Sequence, residues 1–461
     1  MISDALLCGA KKEIHMIFLE ETNKLLSGVI LPLVLIPVGI FIAARLRFFY
    51  VFHPVRSFRA LKSSAGGGGT SPLKALTMAL AGTLGVGNIS GVASAIASGG
   101  AGAVFWMWVS ALCAMSLKYA EVFLAVKYRV TDSDGSHHHG GAPYYMKAAL
   151  SPRLGGKAAG GLASFFAVLL VSNSVLTGNV VQVNAASGVF AGVPGIVCGA
   201  AIALTVLAVT AGGVRRIGDF TVFAIPFLTL VYVALSLFII FSNTDRIVPI
   251  LGDIVRNALS PRAAVGGVFG YGVSRAVRYG VTRGIFSNEA GCGTAPSAHA
   301  AANTDSPHAQ GCLGIFEVFC DTIVMCTMTA LVILLAGESA EGGIALSMKS
   351  YGAFCGKAGE IAIGVSVIIF ALATVICQEF YGMEALRFLG ARSGAIKLYL
   401  VISFAATLAG SVMSSSLVWQ LADLQIAAMT VVNTLTLFIL SDHIPRQIPA
   451  AHERKVKEAF K

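Results

Sequence analysis

Long apolar stretches separated by short polar loops run the length of the chain. About eleven of them can cross a bilayer, which takes roughly 20 apolar residues per helix. They lie near 27–50, 74–97, 101–127, 158–190, 194–212, 219–242, 263–302, 310–336, 358–388, 395–412 and 416–440. Barrel strands would show short dyad alternation instead. The pattern predicts an all-α polytopic membrane protein of about 11 transmembrane helices.

Two of the stretches are interrupted. GTLGVGNISG (82–91) and GIFSNEAGCGTAP (284–296) place glycines around a central asparagine, Asn88 or Asn288. A membrane helix gives up backbone hydrogen bonds only where it lines a cavity or is buried in protein. A pair of such breaks, one in each half of a chain, is the best sequence pointer to a transporter's substrate site.

Loop charges orient the helices. Lys and Arg gather in 45–74, 127–157, 215–216, 387–397 and the tail, while the loops near 98–101 and 190–194 carry no charge. The positive-inside rule then places the N-terminus outside and the C-terminus in the cytoplasm of a plasma (inner) membrane. Trp106, Trp108 and Trp419 fall at predicted outer helix ends, where aromatic anchors are expected. The same alternation makes the two broken helices run in opposite directions. Five helices counted from each break give two groups of opposite topology, an inverted repeat with the helix at 27–50 as an extra. The resulting division is an N-terminal segment with a basic cytoplasmic loop (1–72), a first repeat (73–243), an extracellular connection (244–262), a second repeat (263–440) and a cytoplasmic tail (441–461). Residue-level similarity between the halves is weak, so the repeat rests on topology.

Composition agrees. The 461 residues are 56% hydrophobic and 12% charged, against roughly 25% charged in soluble domains. The net charge of +10 fits cytoplasmic loops better than a nucleic-acid partner. Nine scattered cysteines without a CxxC give neither a disulfide framework nor a zinc site. The N-terminus lacks the form of a cleaved signal peptide. AGGGGTS (65–71) lacks the GK[ST] of a phosphate loop, and neither HExxH nor a nucleophile elbow occurs, so no enzyme and no cofactor are expected. A passive channel would need rings of like side chains, usually built by symmetry. The adjacent histidines His137–His139 lie in a polar loop, a setting that rarely closes a defined metal site.

The breaks carry the candidate chemistry. Gly82, Gly85, Gly87 and Gly91 disfavour continuous helix and free backbone groups. Freed N–H groups at a half-helix start suit a carboxylate, and freed carbonyls suit a hard cation such as sodium. Close helix packing is the competing reading of these glycines; the amide of Asn88 is more than packing needs. In the second break, Phe286 can wall off an apolar side chain, and Ser287 and Asn288 can contact a ligand. Glu289 is either half of a structural ion pair, with Arg275, Arg278 or Arg283 nearby in sequence, or a binder of a cation or ammonium group. Lys118 with Glu121, and Glu317 with Asp321, each share a helix face and suggest a bracing or gating network. Glu379 and Glu384 are further intramembrane charges. Gln182, Asn184 and Thr374 sit mid-helix.

At these residues the chain resembles a known family. GTLGVGNISGVASAIASGGAGAVFWMWVSALCAMSLKYAEV (82–122) and GIFSNEAGCGTAPSAHAAA (284–302) are similar to the alanine or glycine:cation symporters, a branch of the amino acid–polyamine–cation superfamily. FEVFCDTIVMCTMTALVIL (316–334) and GGAPYY (140–145) fit as well. The resemblance implies the five-plus-five inverted repeat of the leucine-transporter type and uptake of alanine or glycine driven by sodium or sometimes protons. It implies substrate contacts at Gly85, Gly87, Asn88, Gln182, Phe286, Ser287 and Asn288. It implies a cation between Gly82, Gly85 and Thr374. Structural or gating roles are expected for Lys118, Glu121, Arg283, Glu289 and Asp321. Val86 and Ala373 stand where the family usually has threonine and often serine, and CQEFYGME (377–384) replaces a stretch usually richer in Trp and Tyr.

Overall fold

The computed structural model describes residues 16–54, 70–133, 137–189, 192–210, 213–259, 271–337 and 342–446. Half of the basic loop at 45–74, the start of the broken helix expected from 263, and the end of the tail lie outside the described residues.

The described chain is helical apart from loops and one two-stranded hairpin. It begins with α1 (Met16–Arg45). Next come α2 (Pro72–Thr83) and α3 (Ser90–Gly99), joined by a 3-10 turn at Val86–Asn88. Ser71 caps α2 by accepting from the Lys74 N–H, and Pro72 opens it with its fixed φ. Gly100, at φ 72°, turns the chain into α4 (Gly102–Lys127). A hairpin pairs Val130–Thr131 with His138–His139. Then follow α5 (Ala142–Leu154), α6 (Gly156–Ser187), α7 (Gly195–Thr210), α8 (Gly213–Phe241) and α9 (Thr244–Leu259). The second broken helix consists of α10 (Tyr271–Asn288) and α11 (Pro296–Ala300). The chain continues with α12 (Pro307–Ala336), α13 (Gly343–Phe388), α14 (Ser393–Gly410) and α15 (Ser415–Ile439).

Among the described residues, eight helices are long and apolar enough to cross a membrane, or nine if α2 and α3, bent by 57° at their break, are one span. Burial is patterned for a bilayer. Phe223 (78% exposed) and Leu230 (67%) stand on the outside, while Lys118, Glu121, Glu317 and Asp321 are all 0% exposed. Apolar groups outside and charges inside reverse the arrangement of a soluble protein.

Two features add to the sequence reading. The expected connection at 244–262 contains α9, whose buried Ile254 and Ala258 belong to a face packed on α4. The span expected at 358–388 is the latter part of a 46-residue run, and Gly356, at φ 58°, breaks that run between its two arms. Only glycine takes such a conformation without strain. In addition, α6 and α12 contain π-helical segments at Ser174–Val181 and Phe319–Cys326. Such segments often mark functional sites.

Candidate functional site between the two helix breaks

The first break is buried throughout residues 81–90. After Thr83 the chain leaves the helix and Gly85 is extended (φ −124°, ψ −154°). Any residue can adopt that backbone, so glycine is required for space. A Cβ on Gly85 would lie 2.7 Å from Thr374 Oγ1 and 2.8 Å from Gln182 Oε1. A Cβ on Gly82 would lie 2.5 Å from the Tyr381 hydroxyl oxygen, and one on Gly87 3.0 Å from the Phe286 ring. The freed backbone is held by side chains from elsewhere. Val86 N–H donates to Gln182 Oε1 at 3.0 Å, and Gly85 N–H to Asn88 Oδ1 at 3.1 Å. Thr374 Oγ1 donates to the Ala81 carbonyl at 3.0 Å, and Thr329 Oγ1 to the Asn88 carbonyl at 2.6 Å.

The second break is strained where the first is open. Glu289, Gly291 and Gly293 have φ of 50°, 82° and 78°. Glutamate rarely occupies this region, and both of its oxygens are tied. Thr294 Oγ1 donates to Oε2 at 2.5 Å, and Gln378 Nε2 donates to Oε1 at 2.6 Å. This corrects the proposed arginine partners, since among the described residues no ion pair joins Glu289 to an arginine. Arg283 instead grips Asp423 of α15 with both guanidinium nitrogens, at 2.5 and 3.1 Å. Its guanidinium also lies 4.4 Å from the centre of the Trp419 ring, and that ring is 4.7 Å from the Phe286 ring. Trp419 thus touches both the Arg283 guanidinium and the Phe286 ring.

The two breaks meet. Asn88 Nδ2 donates to Ser287 Oγ at 2.8 Å and to Asp321 Oδ1 at 2.7 Å. Ser287 Oγ and Thr322 Oγ1 both donate to Asp321 Oδ2, at 2.8 and 2.7 Å. Asn288 Nδ2 donates to Thr322 Oγ1 at 3.0 Å. Asp321, in the π segment of α12, is thus at the junction of the two breaks and not in a peripheral brace. Thr322 and Thr329 join the same junction, and Gln378 holds the second break through Glu289. The sequence offered little sign of them, because isolated polar residues in membrane helices often bond only their own backbone.

The remaining charges form a second network. Lys118 Nζ pairs with Glu317 Oε1 of α12 at 3.1 Å, not with Glu121 on its own helix. His299 Nε2 meets Glu317 Oε2 at 2.9 Å. Glu121 Oε1 accepts from the Gly293 N–H at 2.8 Å and from Asn433 Nδ2 at 2.5 Å, which ties α4 and α15 to the unwound second break. Asn184 lies apart from the site, donating to the Gly410 and Met413 carbonyls. In the hairpin, His138 meets Thr131 and His139 meets Glu384 and Asp132. Among the described residues no group of three His, Cys, Asp or Glu is placed to hold a metal. The hydrogen bond from His139 to Glu384 holds the imidazole pKa above its usual value, against the opposing effect of burial.

A helical membrane protein whose two broken helices meet around buried polar groups is, by class, a polytopic transporter. Comparison with known proteins agrees and is more specific. Residues 12–460 match the model of the sodium:alanine symporter family, and the chain belongs to that family. It is 35% identical over 453 residues to the sodium/alanine symporter AgcS of Methanococcus maripaludis, covering 95% of this chain and 98% of that protein. It is 34% identical to the probable sodium/glutamine symporter GlnT of Bacillus subtilis, covering 91% and 87%. It is 31% identical to the putative sodium/proton-dependent alanine carrier protein YrbD of the same organism, covering 92% and 90%. The protein is a cation-coupled amino acid transporter embedded in a membrane, and it is not an enzyme.

Proposed function

We propose that the chain imports a small neutral amino acid, alanine or glycine, together with a sodium ion, by alternating access across the plasma membrane. The observation that carries this reading is the bond from Asn88 of the first break to Ser287 of the second. Residues of both breaks share one polar centre, as a midplane substrate site between repeats requires. The substrate carboxylate meets backbone N–H groups freed near Gly85 and Gly87. Its ammonium group meets carbonyls together with Asn88, Gln182, Ser287, Asn288 and, by its contacts, Asp321. Phe286 walls the side chain and leaves room for a small one. Sodium sits among the carbonyls near Gly82 and Gly85 and the Thr374 hydroxyl. It is cargo, and no resident cofactor is needed.

The architecture under this reading is an extra first helix and a five-plus-five inverted repeat. The bent pair α2–α3, the short apolar α7 and the second broken helix, added to the eight long spans, make eleven crossings. The N-terminus lies outside and the C-terminus inside. Lys118, Glu121, Arg283 and Glu289 brace and gate the two ends of the pathway. Coupling requires that the ion and the substrate raise one another's affinity by the same factor.

Proton coupling is the second reading. Val86 and Ala373 remove hydroxyls next to the cation position, and one relative is named a sodium/proton-dependent carrier. Labelled alanine uptake into proteoliposomes decides between the two, with an inward sodium gradient, a proton gradient and no gradient compared. Sodium-driven accumulation is expected. Proton-driven accumulation would change the ion, and equilibration without accumulation would remove the symporter.

A further inference from the structure

Glu379 has no place in the site described above. It lies in CQEFYGME on α13, next to Gln378, and its residue is 2% exposed. Its Oε1 accepts from Asn179 Nδ2, in the π segment of α6, at 2.7 Å. Its Oε2 is buried and accepts no well-formed hydrogen bond, although the Tyr399 and Ser403 hydroxyls lie beside the carboxyl. Among the described residues no ion pair reaches it. Glu379 also lines a cavity of about 10 Å³ between α7, α13 and α14, whose other polar liners are Thr210 and Thr407. That volume is about the space of one water centre.

An ionised carboxylate buried away from water without a counter-charge, and with one oxygen lacking a well-formed hydrogen bond, is strongly disfavoured, and such a group takes up a proton instead. The surroundings suit the neutral acid. Oε1 serves as the carbonyl-type acceptor of the Asn179 amide, which leaves Oε2 to carry the proton. Thr210 Oγ1 and Thr407 Oγ1 already donate to the Val206 and Ser403 carbonyls, each at 2.8 Å, so what they offer the cavity is acceptor capacity. The groups facing Glu379 are Asn179 from α6, Tyr399 and Ser403 from α14, and Thr210 from α7. Tyr399 is the titratable one, and its hydroxyl is bonded to Ser174 Oγ at 2.8 Å.

We propose that Glu379 is a proton-binding site of this transporter, loaded and unloaded through the water-sized cavity between α7, α13 and α14. The helix that carries it also contacts both breaks, through Thr374 to the Ala81 carbonyl and through Gln378 to Glu289. Its charge therefore bears on the ion site and on the second break, and the pH dependence of uptake follows from it. This last step rests on the transport function proposed above; the proton site itself does not.

Two measurements on the full chain test the proposal. The first is pH-difference infrared spectroscopy of the wild type and Glu379→Gln in lipid nanodiscs. A carboxylic-acid carbonyl band that fades as pH rises, and is missing from the variant, is expected. Identical difference spectra for the two proteins would overturn the site. The second is sodium-driven alanine uptake across a pH series. Glu379→Gln is expected to lose the pH dependence of the wild type, and Glu379→Asp, which keeps the acid, to retain it. A Glu379→Gln profile that follows the wild type would overturn the link to transport. A wild type without alanine uptake would sink the transport reading, while the infrared result still decides the proton site.

Discussion

The amide of Asn88 donates to the carboxylate of Asp321 at 2.7 Å, and the same amide donates to Ser287 at 2.8 Å. One side chain of the first break thus binds a side chain of the second break and a third helix at once. Asp321 is fully buried, and its recorded donors are neutral. With three side-chain donors on its two oxygens, this carboxyl takes part in holding the two breaks together.

Asp321→Asn is expected to reduce alanine uptake by about ten- to a hundredfold, because hydrogen bonds to a charged group contribute roughly 1.5–3 kcal/mol. Asn88→Ala is expected to abolish uptake. Uptake normalised to the protein inserted in proteoliposomes is the measurement. Wild-type rates for both variants would remove the junction from the transport site.

Gly85 and Gly91 separate close approach from simple flexibility. A Cβ on Gly85 would collide with Thr374 Oγ1 at 2.7 Å, whereas one on Gly91 would meet nothing nearer than 3.9 Å. Gly85→Ala is expected to abolish uptake through overpacking worth about 1–3 kcal/mol. Gly91→Ala is expected to remain active. Equal loss in the two variants would show that glycine acts there by flexibility.

The breaks were legible in the sequence because glycine and asparagine inside apolar runs are conspicuous. Their contents were only partly legible. The sequence points to Asn88 and Ser287 in the two breaks and to Gln182 mid-helix; the structure bonds Asn88 to Ser287 and Gln182 to the Val86 N–H. Asp321 was placed with the gating charges, because its i,i+4 relation to Glu317 suggested a shared face. The π segment at Phe319–Cys326 changes that register, and no hydrophobic period announces such a segment. Glu289 was matched to arginines close in sequence, but a neutral amide from Gln378, far along the chain, reaches it instead. Lys118 likewise found Glu317 rather than its helical neighbour. Nearness in sequence ranks partners within one helix and says little about partners between helices.

Thr374 tests the ion position. Thr374→Ala is expected to raise the sodium concentration needed for half-maximal uptake several-fold, and Thr374→Ser to keep it near wild type. Sodium titration of uptake at fixed alanine reads both. An unchanged sodium requirement in Thr374→Ala would move the ion elsewhere.

Arg283 and Asp423 form a buried bidentate pair above Phe286. Removing one partner of such a pair leaves an unpaired buried charge, at a cost of about 3–5 kcal/mol. Arg283→Ala and Asp423→Ala are each expected to lower the unfolding temperature and uptake. Arg283→Lys should recover little, because an ammonium group lacks the guanidinium fork and its stacking on Trp419. A lysine variant with full stability would mean that charge alone is needed there.

His139 is a titratable group of a contact between the hairpin and the end of α13. Its imidazole meets Glu384 at 2.9 Å and Asp132 at 3.3 Å, joining the hairpin to the end of α13. The hydrogen bond to Glu384 is the largest cause that raises its pKa above the ordinary 6.5. A group whose folded pKa is raised contributes stability that is fully present below the unfolded value and is lost as pH rises through the folded value. The stability difference between wild type and His139→Gln is therefore expected to be largest at mildly acidic pH and to shrink on going alkaline. Thermal unfolding of both proteins over that range is the measurement. A difference that stays constant with pH would mean that His139 holds Glu384 as a neutral hydrogen-bonding group and that its proton plays no part in the contact.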